Sequence, residues 1–247
     1  MNQLVSSEWL NQNLGKVKIL DASWHLPTAK RNSFEEYKVS HISNSIFFDI
    51  DKYSNQKTNL PHMLPSEKDW EIIVSNLGIN NSDHVIVYDN SEVFSSCRVW
   101  YTFLYFGHDP DLISDLDRNF EKWVNEKRPV SKKIIKNDKS NYKSNENSSL
   151  VINKSEVSEN ITQNKFQLID ARGEQRFLGL QPEPRKELRS GNIKGSINLP
   201  FQKIINKNRT FKKKDELIKI FKSKDISFEK EMAFTCGSGV TACILGL

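Results

Sequence analysis

Cysteine is scarce in this chain: its 247 residues hold three, Cys97, Cys236 and Cys243. So few thiols exclude a disulfide scaffold. No CxxC pair occurs, and the five histidines are scattered without ligand spacing, so no metal and no cofactor are expected. Long apolar runs are also missing, none approaching the roughly 20 residues that cross a bilayer, so no membrane partner is expected. The opening Met1-Asn2-Gln3-Leu4-Val5 lacks the basic and apolar regions of a secretory signal. Reduced thiols without a leader point to the cytoplasm. The net charge of +5 is spread through loops and a polar middle segment, with no basic stripe, which argues against a nucleic-acid partner. Lys212-Lys213-Lys214 reads as a solvated surface at a helix start.

What is present is a repeat. Val17–Ala22 matches Phe166–Ala171, His41–Ile46 matches Asn192–Ile197, and Val85–Tyr88 matches Glu231–Phe234, all at an offset of roughly 150 residues. Within each half, short β-branched or aromatic runs alternate with amphipathic stretches such as Lys68–Leu77 and Asp215–Lys222, the pattern of α/β units on a parallel sheet. The segment 137–149 is polar and too poor in apolar residues to fold alone, so it reads as a linker, flexible or draped over the surface. The expected organisation is a first domain over 1–130, a polar linker over 131–155 and a second domain over 156–247.

The most informative stretch is Cys236-Gly237-Ser238-Gly239-Val240-Thr241. An apolar run precedes it and the helix-compatible Ala242-Cys243-Ile244-Leu245 follows, giving strand, tight turn and helix. Two glycines let successive backbone N–H groups point inward, and the helix adds its positive end. A thiol there should ionise more readily than a free one, and the thiolate is the nucleophile. The bland alternative is a buried cysteine ending a core strand; the flanking glycines and hydroxyls favour a reactive one. A ring of amide donors also suits phosphate. A cysteine phosphatase, however, needs an arginine six positions after the cysteine, and Ala242 stands there.

A tandem α/β repeat with a cysteine-centred loop in the second copy resembles the two-domain rhodanese superfamily, and within it the 3-mercaptopyruvate sulfurtransferases. The likeness spans essentially the whole chain and rests on the Cys236 loop together with motifs found in order. These are Phe47–Asp51, His62-Met63-Leu64-Pro65, Arg98-Val99-Trp100, Phe106-Gly107-His108, Asp170-Ala171-Arg172, Arg176-Phe177, Glu183-Pro184-Arg185 and Ser196–Phe201. The resemblance implies tandem domains, each a mostly parallel five-stranded sheet flanked by helices, with a catalytically silent first copy. Accordingly, Asp89–Ser96 follows Tyr88 with no cysteine at the turn mouth, and Cys97 reads as structural.

The chemistry this implies is sulfur transfer: Cys236 attacks the sulfur of 3-mercaptopyruvate, pyruvate leaves, and a persulfide is passed to a thiol acceptor such as thioredoxin, or to cyanide. Thiosulfate-preferring rhodaneses typically carry bulky basic residues after the cysteine, and this loop has none. Arg176 and Arg185 match the family's substrate-binding arginines, whose planar forks suit a carboxylate; without the motif both would read as surface residues. Gly237, Gly239, Val240 and Thr241 complete the donor-binding loop. Ser238, His62 and Asp51 match a hydroxyl–imidazole–carboxylate relay, although Asp51 and His62 read alone could be purely structural. Asp49 is left out, because on a regular extended segment it would point the same way as Asp51 without a matching role. Asp21 and Asp170 are expected to anchor loops after their strands.

Departures from the pattern are few. Ser43-Asn44-Ser45 replaces a Pro-Gly turn, and Asp115–Asn119 stands in place of a glycine-rich turn. The chain stops at Leu247, where the resemblance implies a further strand inside the sheet and a helix. We therefore expect those last elements of the second domain to be missing from this sequence, a truncated copy of a normal enzyme. The alternatives carried forward are a thiosulfate:cyanide sulfurtransferase on the same scaffold and a non-enzymatic persulfide-relay or scaffold module.

Overall fold

Helix starts in this chain are written by side chains that replace missing backbone partners. Ser6, Asn32, Ser66 and Asn153 each sit in extended backbone and accept an N–H from the first turn that follows. At Asn153 the carboxylate of Glu156 returns the bond to the cap residue's own N–H, completing a capping box. Between these starts lie short apolar runs, and the strand Val85–Tyr88 is buried at all four positions. A strand buried on both faces needs a layer above and below, as in a parallel sheet between helices.

The computed structural model describes residues 3–117, 120–185 and 188–247. Its strands are β1 (Leu4–Val5), β2 (Lys18–Asp21), β3 (His41–Ile42), β4 (Ser45–Phe47), β5 (Val85–Tyr88), β6 (Ile113–Leu116), β7 (Val130–Ser131), β8 (Gln167–Asp170), β9 (Ile197–Asn198) and β10 (Met232–Thr235). Its helices are α1 (Ser7–Asn13), α2 (Ser33–Val39), α3 (Ile50–Tyr53), α4 (Glu67–Asn76), α5 (Ser96–Tyr105), α6 (Phe120–Asn125), α7 (Lys154–Gln163), α8 (Glu174–Phe177), α9 (Lys214–Lys222) and α10 (Ala242–Gly246). The chain divides into two compact units, residues 1–148 with residue 247, and residues 149–246.

Unit 1 is built on a five-stranded parallel sheet in the order β1-β6-β5-β2-β4, with β3 and β7 forming a separate antiparallel pair. Helix α4 buries Trp70 and Val74, and α5 buries Cys97, Val99, Trp100 and Phe103. Cys97 is wholly buried, as a structural thiol should be. The turn after β3 places Asn44 at φ 67°; its counterpart in the second unit, Gly195, lies at φ 82°. Asparagine tolerates that left-handed geometry, so the loss of the expected glycine is absorbed.

The polar segment 137–147 lies along unit 1. Tyr142 is buried with its ring stacked on His108, and its N–H donates to Ser75 Oγ at 3.0 Å. Asn145 and Asn147 donate to the carbonyls of Phe106 and Tyr105. Gly78 and Gly107, both at positive φ, pass so close to this segment that an added Cβ would collide with Asn137 and Asn145.

Unit 2 repeats the centre of this plan with fewer strands. Its sheet runs β10-β8-β9, parallel throughout, over a small core of Phe166, Leu168 and Ala233. β8, β9 and β10 correspond to β2, β4 and β5. Where a five-stranded sheet without its last strand was expected, three strands form among the described residues. In unit 1, β6 lies beside β5 and carries β1 on its outer side. Among the described residues the unit 2 sheet shows no counterpart of β6, and Ile152 packs against the small core. Among the described residues, β10 ends the order of this sheet.

Register also corrects one of the repeats read from sequence. Asp21 pairs with Tyr88, and Asp170 pairs with Thr235, so Val85–Tyr88 corresponds to Met232–Thr235, one residue later than the apolar pattern suggested. Tyr88 thus stands where Thr235 stands, and Asp89 where Cys236 stands.

Candidate functional site

Cys236 leaves the sheet at the carboxyl end of β10, directly after Thr235, whose carbonyl accepts the Ala171 N–H at 2.8 Å. That is the rim at which open parallel sheets gather ligands. The loop then folds back on its own sulfur: the Gly239 N–H donates to Cys236 Sγ at 3.2 Å, with Gly239 at φ 75°. A side chain at Gly239 would strain that turn. On the far side, the Cys243 thiol donates to the Gly239 carbonyl at 3.2 Å, and the Cys243 and Ile244 N–H groups donate to Val240 and Thr241 carbonyls. Cys236 is half-buried, as are Gly237, Ser238 and Thr241, while Val240 is buried and plugs the turn. A backbone donor thus lies against a partly accessible sulfur.

Both predicted arginines converge on Gly237. Arg185 donates to its carbonyl at 2.5 Å. Arg176 lies beneath its Cα, so that an added Cβ would come within 3.2 Å of Arg176 Nη2. The arginines differ in their own partners. Arg176 is held by Glu183 through two bonds, Nε to Oε1 at 3.1 Å and Nη2 to Oε2 at 2.6 Å. Glu183 Oε1 also accepts from Arg172 Nη1 at 2.8 Å, and Arg172 grips the buried Asp170 through Nε and Nη2. Arg176 first, and then the field of both guanidinium groups against the cost of burial, holds the Glu183 carboxyl below its ordinary range. Arg189, in the same stretch, faces away and donates to Asn192.

Unit 1 contributes its own pair. Asp51 occupies the first turn of α3, with Asp49 as the cap whose side chain accepts the Lys52 N–H. The extended segment expected there is thus a helix start, and the local cap accounts for Asp49. His62 Nε2 meets Asp51 Oδ1 at 2.9 Å, and the Trp24 indole N–H donates to Asp51 Oδ2 at 2.8 Å. The hydrogen bond from His62 is the main reason the Asp51 carboxyl lies below its usual range. His62 is buried at φ 57°, its carbonyl takes Arg98 Nη2 at 2.6 Å, and Trp24 packs edge-on to its ring at 4.8 Å. Of the expected relay, Asp51 and His62 meet within unit 1, and Ser238 stands in the Cys236 loop of unit 2.

The loop after β5 is the silent counterpart. Asp89 sits in the position of Cys236, buried, with Oδ2 accepting the Ser96 N–H at 2.9 Å and Oδ1 the Ser91 N–H at 3.3 Å. A carboxyl group already occupies this turn. Of the glycine-poor stretch 115–119, Asp115 and Leu116 belong to β6, and residues 118 and 119 lie outside the described residues. No cluster that could hold a metal occurs among the described residues. No helix among them is long and apolar enough to cross a membrane.

Sequence reading missed three residues here: Glu183, Arg172 and Trp24. The available signal for Glu183 was a single acid set between Arg176 and Arg185 in an arginine-rich loop.

Comparison with known proteins shows the family. Residues 6–126 and 153–246 match the family described as "Rhodanese-like domain". The thiosulfate/3-mercaptopyruvate sulfurtransferase 2 of Arabidopsis thaliana is 39% identical over 267 residues, covering 99% of this chain and 78% of that protein. The 3-mercaptopyruvate sulfurtransferase of Mus musculus is 36% identical over 248 residues, covering 97% of this chain and 83% of its own. Among solved structures, SseA from Escherichia coli, described with the mechanism of 3-mercaptopyruvate sulfotransferases, superposes with a TM-score of 0.89 at 30% identity. That match covers 99% of this chain and 92% of SseA.

Proposed function

From the premise that this chain belongs to the rhodanese family, with two copies of the rhodanese-like domain, we propose that it is a 3-mercaptopyruvate sulfurtransferase working through a persulfide on Cys236. The observation that carries this reading is the loop itself, where an N–H donates to Cys236 Sγ and two guanidinium groups meet at the adjoining Gly237.

The Cys236 thiolate attacks the sulfur of 3-mercaptopyruvate. The carbon–sulfur bond breaks, its electron pair passes into the enolate of pyruvate, and the outer sulfur remains on Cys236 as a persulfide. Loop N–H groups hold the anionic sulfur in each state. Arg185 and Arg176 orient the carboxylate and ketone of the donor, with Gly237, Gly239, Val240 and Thr241 shaping the loop around it. The resemblance gives Ser238, His62 and Asp51 the role of proton carriers for the departing enolate; within unit 1, Asp51 keeps the His62 imidazole in one orientation. An acceptor thiolate, small or on a protein such as thioredoxin, then attacks the outer sulfur and restores the Cys236 thiolate. Such thiol chemistry suits a reducing compartment such as the cytoplasm.

Relatives are named for thiosulfate as well as 3-mercaptopyruvate. The uncharged residues after Cys236 and the placement of Arg185 favour the singly charged keto acid. Pyruvate release from 3-mercaptopyruvate, with dithiothreitol or thioredoxin as acceptor, tests the reading. Wild type should turn over, and Cys236→Ser should not. A folded wild-type protein silent with both donors would remove the enzyme assignment and leave a persulfide-relay or scaffold module.

A further inference from the structure

The two arginines at Gly237 are not equivalent, and the difference lies in Glu183. A line of charges leads to the loop: Asp170, Arg172, Glu183, Arg176. Acids and guanidinium groups alternate along it at 2.6 to 2.8 Å. Each acid in this line is matched by a cation, and the side chain of Glu183 is almost wholly buried at 4% exposure. Arg185 stands outside the line. Among the described residues it meets a carbonyl, that of Gly237, and forms no ion pair.

We infer that Glu183 sets the charge class of the sulfur donor: by neutralising Arg176 it leaves Arg185 as the one cation at the loop, among the described residues, without an acidic partner, and so selects a singly charged donor over a doubly charged one. The inference rests on the sulfurtransferase reading above and deepens it. Chemically, 3-mercaptopyruvate brings one carboxylate, whereas thiosulfate brings two negative charges to a thiolate that is itself anionic. Seating the second charge requires another cation near the sulfur. Arg176 is close enough to serve, but its fork is already occupied by both oxygens of Glu183, and a bidentate ion pair in a largely buried setting resists exchange. Because Arg176 holds the Glu183 carboxyl below its usual range, Glu183 stays ionised across the working pH. Glu183 touches no reacting atom in this scheme and acts through the arginine it holds. It is a positioning residue with an effect on specificity.

The test compares kcat/KM for thiosulfate and for 3-mercaptopyruvate in the full chain and in two variants. Glu183→Gln keeps the shape and removes the charge; the thiosulfate-to-mercaptopyruvate ratio should rise roughly tenfold, the scale of one unit charge at a partly buried site. Glu183→Asp keeps the charge on a shorter arm; both kcat/KM values should fall together, with the ratio held within about twofold. A purely structural role would lower both donors equally in both variants, and that result overturns the inference.

Should the glutamine variant fail to fold, wild type alone still decides. Protection of Cys236 from iodoacetamide should be stronger with pyruvate, a monoanion, than with sulfate, a dianion. Equal or better protection by sulfate overturns the inference even if turnover with 3-mercaptopyruvate is normal. Stronger protection by pyruvate in a protein that turns over neither donor keeps the charge selection and sinks the sulfurtransferase reading instead.

Discussion

Asp21 and Asp170 occupy the same place in the two units, at the carboxyl end of β2 and of β8, and both are buried. Each uses its backbone identically: the Asp21 carbonyl accepts Phe48 N–H at 2.7 Å, and the Asp170 carbonyl accepts Leu199 N–H at 3.0 Å. Their side chains part company. Asp170 finds the guanidinium of Arg172 and through it the ion-pair line that ends beneath the Cys236 loop. Asp21 finds only hydroxyl and amide donors, Ser23 Oγ at 2.5 Å and Ser23 N at 3.0 Å. The loops that follow differ in the same sense. Unit 2 presents a partly accessible sulfur next to Gly237, where two arginines meet. Unit 1 fills the equivalent turn with Asp89, a buried carboxyl that accepts N–H groups of Ser91 and Ser96. One scaffold therefore carries a site in one copy and a sealed turn in the other. What separates them is a handful of charges rather than the path of the chain.

The largest effect should come from exchanging these two residues. Cys236→Asp places the residue of the silent loop in the active one, and pyruvate release should fall about 1,000-fold or more, as expected when a nucleophile is removed. The reciprocal Asp89→Cys gives unit 1 a thiol without an arginine pair, and mass spectrometry should find no persulfide at that position. Turnover within tenfold of wild type in Cys236→Asp would end the assignment of Cys236.

Next in size is Asp170→Asn. Removing the carboxylate leaves Arg172, whose side chain is 11% exposed, without its closest partner. A broken buried pair costs about 3 kcal/mol. Hydrogen exchange should show the amides of β8 and β10 losing protection while those of β2 and β5 keep theirs. Uniform loss across both sheets would mean that the ion-pair line does not belong to unit 2 alone.

Arg185→Ala separates the arginines. The KM for 3-mercaptopyruvate should rise about tenfold or more with the loss of a charge-assisted contact to the donor, and that for thiosulfate far less. Equal increases for both donors would remove Arg185 from the keto-acid role.

Much of this layout was legible in the sequence because it depends on local signals. Two glycines around Ser238, short β-branched strands and a long in-order series of motifs are features of neighbouring residues. What escaped depends on partners far apart in the chain. The repeat of β5 in β10 was misplaced by one residue because Glu231–Phe234 and Met232–Thr235 both satisfy a short apolar pattern; only the hydrogen bonds to β8 fix the register. Asp51 was placed on an extended segment because the capping role of Asp49 appears only once the chain turns into α3. Glu183 was quoted within a motif but given no role, since nothing local says that Arg172 and Arg176 both turn toward it.

The smallest effect concerns the other half of the comparison. Burial chiefly, opposed by hydrogen bonds from Ser23 and Tyr88, raises the Asp21 carboxyl from 3.8 to about 6. A buried acid of this kind holds its proton in the folded protein after the unfolded chain has lost it. Its contribution to stability is therefore complete below pH 3.8 and disappears as the pH rises through about 6. Asp51 and Glu183 act in the opposite direction, being held below their usual range, but they matter only under more acidic conditions. From pH 5 upward, the Asp21 contribution can be read without theirs. Urea unfolding of the wild-type protein at pH 5 and pH 7.5 should show a loss of about 1 kcal/mol that Asp21→Asn does not share. An identical pH response in the two proteins would mean that Asp21 is already ionised in its buried turn, and the electrostatic contrast with Asp170 would then be one of partners only.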